Sequence, residues 1–216
     1  MTFYQWIYKT FEPAVSALYR IEAHGVENIP ADGAIVASNH TSFADVLVIS
    51  AAARRQVRYM AKKELFKIPL LAPLIRALGA YPVNRGGPDV SSIKRTIELI
   101  AEGELIGIFP QGHRYGGQDP RTTEIKAGVG MIVYRTKAPV VPVFLDSKRG
   151  KTSMFRKNIV TFGTPVNFEE LEFVKGGMAE YTRASQIIFN HICEIKYGKS
   201  ELPAGEDAAS PTEKND

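Results

Sequence analysis

Short apolar runs that break off into polar turns set the strongest limit on how this chain can fold. The clearest covers residues 33–38, Gly-Ala-Ile-Val-Ala-Ser, which leads into Asn39-His40-Thr41-Ser42-Phe43-Ala44-Asp45 and then into an alanine-rich apolar stretch, residues 46–53. A run too short for a helix, then a polar turn, then a longer apolar segment predicts a buried strand, a loop and a helix. Residues 105–109 run in the same way into Pro110-Gln111-Gly112-His113-Arg114, and residues 79–85 end in Asn84-Arg85-Gly86-Gly87. Further strands are expected near residues 20–24, 57–61, 140–145 and 159–163, with helices near 89–102, 126–136 and 177–196. Strands alternating with helices predict an α/β fold: a single domain with a mixed, mostly parallel sheet flanked by helices, its chemistry carried on loops past the strand ends.

The turn after the first of these runs holds a histidine and a carboxylate, His40 and Asp45, with four residues between them. Inside one helix they would point about 140° apart, at roughly 100° per residue. They meet only if His40 lies on the turn and Asp45 on the first helical turn. Ser42-x-x-Asp45 also reads as a capping box, in which the carboxylate merely favours the helix N-terminus. From this heptad alone both readings stand.

Hydrophobic residues at 44% and charged residues at 23% of 216 place the chain among ordinary globular folds with a substantial core. The single cysteine, Cys193, excludes an intrachain disulfide framework and a multi-cysteine metal site. The net charge of +4 is unevenly spread: Arg54, Arg55, Arg58, Lys62, Lys63 and Lys67 crowd together, and the tail after Lys199 is acidic. Such a patch suits phosphate, anionic lipid, nucleic acid or an acidic carrier protein, or is a solvated face. No stretch is long and apolar enough for a spanning helix, and no signal peptide is evident. Residues 1–19 carry Phe3, Tyr4, Trp6, Tyr8, Phe11 and Tyr19, divided by Pro13, which fits an N-terminal amphipathic helical segment at a membrane interface or a helix packed on the core. Residues 64–78, broken by Pro69 and Pro73, could line a groove for an aliphatic chain, dip into a leaflet or belong to the core. Residues 198–216 are expected to be disordered.

If the three polar turns share one sheet edge, His40, Asp45, Arg85, Gly112 and Arg114 converge. A histidine held by a carboxylate is a general base for a hydroxyl attacking a carbonyl. Arginines grip phosphate in bidentate fashion, and main-chain amides around Gly112 could receive an oxyanion. That set suits acyl transfer to a phosphate-bearing alcohol.

The chain resembles the 1-acyl-glycerol-3-phosphate acyltransferase (lysophosphatidic acid acyltransferase) family. Its four motifs occur in order: residues 39–45 with His40 and Asp45; residues 79–85 ending in Arg85; Phe109-Pro110-Gln111-Gly112-His113-Arg114, where the family usually has Phe-Pro-Glu-Gly-Thr-Arg; and Val141-Pro142-Val143. The likeness covers roughly residues 20–170. It implies that His40 is the general base and Asp45 its orienting partner. Arg85, Gln111, Gly112 and Arg114 would lie on the acceptor's phosphate side, and Pro142 would shape the acyl side. The expected partners are a lysophospholipid acceptor, acyl-CoA or acyl carrier protein as donor, and a membrane surface, at the cytoplasmic face of the cell membrane. No metal, no cofactor and no nucleic acid partner is expected. Residues 20–197 would form the acyltransferase domain. Gln111 and His113 depart from the family pattern and bear on which acceptor is used.

Two rival motifs fail. Gly150-Lys151-Thr152 and Gly198-Lys199-Ser200 end like a Walker loop, but Leu145 and Cys193 stand where its first glycine belongs. No Gly-x-Ser-x-Gly elbow occurs. Acylation of another lysophospholipid or amphipathic alcohol or amine remains open, as does a non-catalytic lipid-binding protein at the membrane surface.

Overall fold

A computed structural model describes residues 12–83 and 90–199. Seven strands form one sheet: β1 (Ile21–His24), β2 (Ala34–Ser38), β3 (Val57–Lys62), β4 (Tyr81–Val83), β5 (Leu105–Ile108), β6 (Val140–Ser147) and β7 (Asn158–Phe162). Their order across the sheet is β1-β7-β6-β2-β5-β3-β4. The run β6-β2-β5-β3-β4 is parallel throughout. β7 lies antiparallel to β6, and β1 runs parallel to β7.

Helices cover both faces. On one side α2 (Asp45–Ala53) packs Val48, Ile49 and Ala52 against Ala34, Val36, Leu105, Val143 and Leu145. On the other, Leu99 of α4 (Val90–Ala101), Ile132 of α5 (Gly128–Thr136) and Ile188 of α6 (Met178–Tyr197) meet Ile35, Ala37, Ile106 and Ile108. Strand β2 is buried at every position. This explains why its sequence is a continuous apolar run without alternation: a parallel strand covered on both faces has no polar side to show.

β2 sits between β5 and β6, with Ala37 opposite Ile108 on one side and Pro142 on the other. Parallel strands bring their carboxyl ends to one edge, where α/β folds bind ligands. The turns after β2, β5 and β6 therefore meet there. Because β7 runs the other way, the segment before it, residues 148–157, lies on the same edge.

The remaining pieces are two short helices. α1 covers residues 12–18, and Tyr19 beyond it packs against the α2-side core. α3 (Leu71–Ala77) follows a 3-10 turn at Lys63–Lys67. The apolar stretch expected at 64–78 is split: Ala72 is buried, whereas Leu70 is 90% exposed. The basic cluster is split too. Arg55 donates to the carbonyls of Pro30 and Gly103, and Arg58 pairs with Glu104 at 2.7 Å, so both brace the fold. Lys62, Lys63 and Lys67 face solvent.

Candidate active site

The site is built first from main chain. Asn39, at the end of β2, is 3% exposed, and its amide bridges to β6, accepting from Leu145 N at 2.8 Å and donating to Leu145 O at 3.0 Å. His40 is then held by the loop after β5. Its N–H donates to Gln111 Oε1 at 2.7 Å, and its carbonyl accepts from Tyr115 N at 2.8 Å. Both polar atoms of the His40 peptide are thus fixed by the neighbouring strand's loop.

The imidazole is fixed independently. It stacks on Phe109 with centroids 3.8 Å apart and planes 11° from parallel, and Phe109 stacks in turn on Tyr59 at 5.6 Å. The column exists because residue 107 of β5 is glycine: a Cβ there would fall 2.1 Å from the Tyr59 ring. His40 Nδ1 lies 2.8 Å from Asp45 Oδ2. An ionised carboxylate only accepts, so Nδ1 carries the proton and Nε2 is the nitrogen left with a lone pair.

Asp45 is wholly buried as the first residue of α2. Oδ2 also accepts from the amides of Thr41 at 2.6 Å and Ser42 at 2.8 Å. Oδ1 accepts from the hydroxyls of Thr41 at 3.1 Å and Thr152 at 2.5 Å. Buried charge persists only with such partners. The two readings of the heptad are therefore both present in one carboxylate. Asp45 takes the Ser42 amide as a capping box would, yet Ser42 Oγ accepts from Ala44 N, at 3.3 Å, and the helix begins after Ala44.

Gln111 is 1% exposed, and its Nε2 donates to Thr123 Oγ1 at 2.6 Å while Oε1 holds His40. Gly112 has a left-handed backbone (φ 68°), and its own N–H closes the turn on Phe109 O at 3.0 Å. The amides of His113 and Arg114 make no such bond among the described residues. The Arg114 guanidinium lies 3.5 Å above the centre of the Phe43 ring, within cation–π range, and has no carboxylate partner among the described residues. Arg85 lies outside the described residues, as do residues 1–11 of the N-terminal segment and the tail from 200 on. Val141 and Val143 are core, and it is Phe144 and Leu145 after them that reach the site.

Beside His40 opens a small cleft of about 50 Å³, in part open to solvent. His40, Gln111 and Tyr115 line it, together with Asp146 of β6 and Lys196 and Tyr197 of α6. Burial pushes the Tyr197 phenol above its ordinary range, so it stays a neutral donor.

Thr152 is the site residue the sequence did not disclose. It stands in the Gly-Lys-Thr triplet dismissed as a nucleotide loop, and no local spacing ties it to a residue 107 positions earlier. The Phe109 and Tyr59 stack likewise depends on strands that are neighbours only in the sheet.

The sequence model of the family described as Acyltransferase matches residues 20–146. A 1-acyl-sn-glycerol-3-phosphate acyltransferase of Bacillus subtilis is 36% identical over 139 residues, covering 63% of this chain and 68% of that protein. One from Streptococcus pneumoniae is 26% identical over 155 residues, covering 69% of this chain and 56% of its own length. The crystal structure of a 1-acyl-sn-glycerophosphate (LPA) acyltransferase from Thermotoga maritima superposes with a TM-score of 0.64 over 91% of this chain and 84% of that one, at 22% identity, so the fold is shared. With a matched family model spanning more than half of its length, this chain belongs to the Acyltransferase family.

Proposed function

We propose that this protein moves a fatty acyl group from a thioester to the free hydroxyl of 1-acyl-glycerol-3-phosphate, giving phosphatidic acid. The observation that carries the reading is the 2.8 Å bond from His40 Nδ1 to a buried, fully bonded Asp45, which leaves Nε2 as the base at the cleft. Nε2 takes the acceptor's hydroxyl proton as the oxygen attacks the thioester carbonyl. The new C–O bond forms, the C–S bond breaks, and the proton passes to the departing thiolate as free thiol. The oxyanion formed between these steps is received by the amides of His113 and Arg114. Arg114 grips the acceptor phosphate, and Arg85 is assigned the same duty on its motif alone. Gln111 and Gly112 shape the turn that presents them. The reaction so written draws on no metal or cofactor.

The acceptor is a lipid, and the rim suits a membrane. Of seven large exposed apolar side chains among the described residues, five (Phe43, Ile68, Leu70, Met154 and Phe155) stand on loops at the carboxyl edge of the parallel strands, where Lys62, Lys63 and Lys67 also lie. Apolar insertion and attraction to anionic headgroups add together on such a surface. No helix among the described residues is long and apolar enough to cross a membrane. We place the protein on the cytoplasmic face of the cell membrane, bound at its surface.

The test is thiol release and phosphatidic acid formation by purified protein given lysophosphatidic acid and an acyl thioester. His40→Ala should lower kcat by roughly 10²- to 10⁴-fold, the usual worth of a positioned base. Undiminished turnover in that variant would refute the assignment.

A further inference from the structure

Resting on the thioester reading above, we propose that the cleft between His40 and the carboxyl end of α6 holds the uncharged pantetheine arm of the acyl donor. This arm is common to coenzyme A and acyl carrier protein. The basis is how the site sorts charge. Apart from His40, the charged side chains on the cleft walls are Asp146 and Lys196, and they pair with each other at 2.7 Å. The cleft is thus neutral. It also lies at the carboxyl end of the 20-residue α6, where the helix dipole disfavours an anion. A phosphate monoester, as the acceptor carries, has no unpaired cation to meet there. Arg114, which has no carboxylate partner among the described residues, is not among the residues lining the cleft and lies over Phe43.

What the cleft does offer is neutral polar side chains: Tyr115, Gln118 and Tyr197 are among the residues that line it. The pantetheine arm is a flexible chain of two secondary amides and hydroxyls ending in sulfur. It needs donors and acceptors of that kind and no charge. Threaded past Tyr197 and Gln118, it delivers the thioester carbonyl to His40 while the acceptor enters from the Arg114 side. The hydroxyl oxygen and the carbonyl carbon then meet across Nε2. The C–S bond breaks toward the arm, so the thiol leaves by the cleft through which the donor entered and the acylated lipid leaves by the other side.

Steady-state kinetics with three donors of one acyl chain test this: acyl-CoA, acyl carrier protein and the acyl thioester of plain pantetheine, which lacks phosphate, nucleotide and protein. Tyr197→Phe and Gln118→Ala should each raise the donor KM about three- to tenfold in all three arms, since each removes one hydrogen bond. Lysophosphatidic acid KM should hold within about twofold, while Arg114→Ala should do the reverse. A rise with acyl-CoA and the carrier protein but none with acyl-pantetheine overturns the proposal, because the contacts would then lie beyond the arm. A rise in acceptor KM instead assigns the cleft to the lipid and overturns it too, as does an unchanged donor KM in both variants. If wild-type protein turns over no donor at all, the acyltransferase reading fails and this proposal falls with it. Turnover by wild type with unaltered variants removes the cleft assignment alone.

Discussion

Asp45 holds five hydrogen bonds in complete burial, four of them to atoms of its own turn. The imidazole is one of them, two are main-chain amides, and two are threonine hydroxyls. Thr152 matters here because it comes from the far side of β6 and takes the carboxylate oxygen that His40 does not. Thr152→Val should reduce kcat about tenfold, the scale of one lost bond to a charged group, with both KM values held. Thr152→Ser should restore the rate. A wild-type kcat in the valine variant would make the contact incidental. For Arg114 we propose a separate duty, the grip on the acceptor's phosphate. Arg114→Ala should weaken use of a phosphorylated acceptor by one to two orders of magnitude, and should scarcely alter use of its dephosphorylated counterpart. Equal losses on the two acceptors would argue against a phosphate grip. At this scale the sequence was legible where partners are near in number. His40 and Asp45 lie within one turn and one helix start. Thr152 and Tyr59 are brought in by sheet neighbours and Tyr197 by the last helix, and nothing in their own surroundings announces it.

At the scale of elements, the sheet was readable because each strand is a short apolar run cut off by turn residues. The expected strands fall within two residues of those observed. What the runs do not encode is pairing: that β7 turns back against β6 follows from how the two pack, not from any pattern within them. Two elements also bury titratable groups that tie stability to pH. Tyr81 in β4 bonds Thr96 of α4 at 2.7 Å, and burial raises its phenol from 10.0 to about 12. Burial likewise raises the Cys193 thiol in α6 from 9.0 to about 12. Between pH 9 and 12 the unfolded chain sheds these protons while the folded chain keeps them. The unfolded state therefore binds fewer protons, and stability falls as pH rises through that window. Thermal melts should show this slope, and Tyr81→Phe should flatten it although it forfeits the Thr96 bond. An unaltered slope would mean that other groups govern alkaline unfolding.

For the whole molecule, the catalytic edge and the apolar rim are one surface. Phe43 lies three residues from His40, and Phe155 three from Thr152, so whatever binds the rim also faces the site. Leu70→Ser together with Phe155→Ser should cut sedimentation with anionic vesicles several-fold, while activity on a detergent-dispersed acceptor persists. Unchanged sedimentation would remove these loops from the membrane contact. Residues 1–11 bear on the same question, and deleting them from the rim variant would reveal their share.

The hydroxyl that Thr152 lends to Asp45 has a bearing on how the protein matures. A chain leaving the ribosome exposes His40 and Asp45 early, but the clamp that completes their setting is synthesised more than a hundred residues later. Until β6 is laid beside β2 and the following loop folds back, the base has an incompletely tethered companion. The complete setting of Asp45 thus arrives only once the chain has been made beyond residue 152.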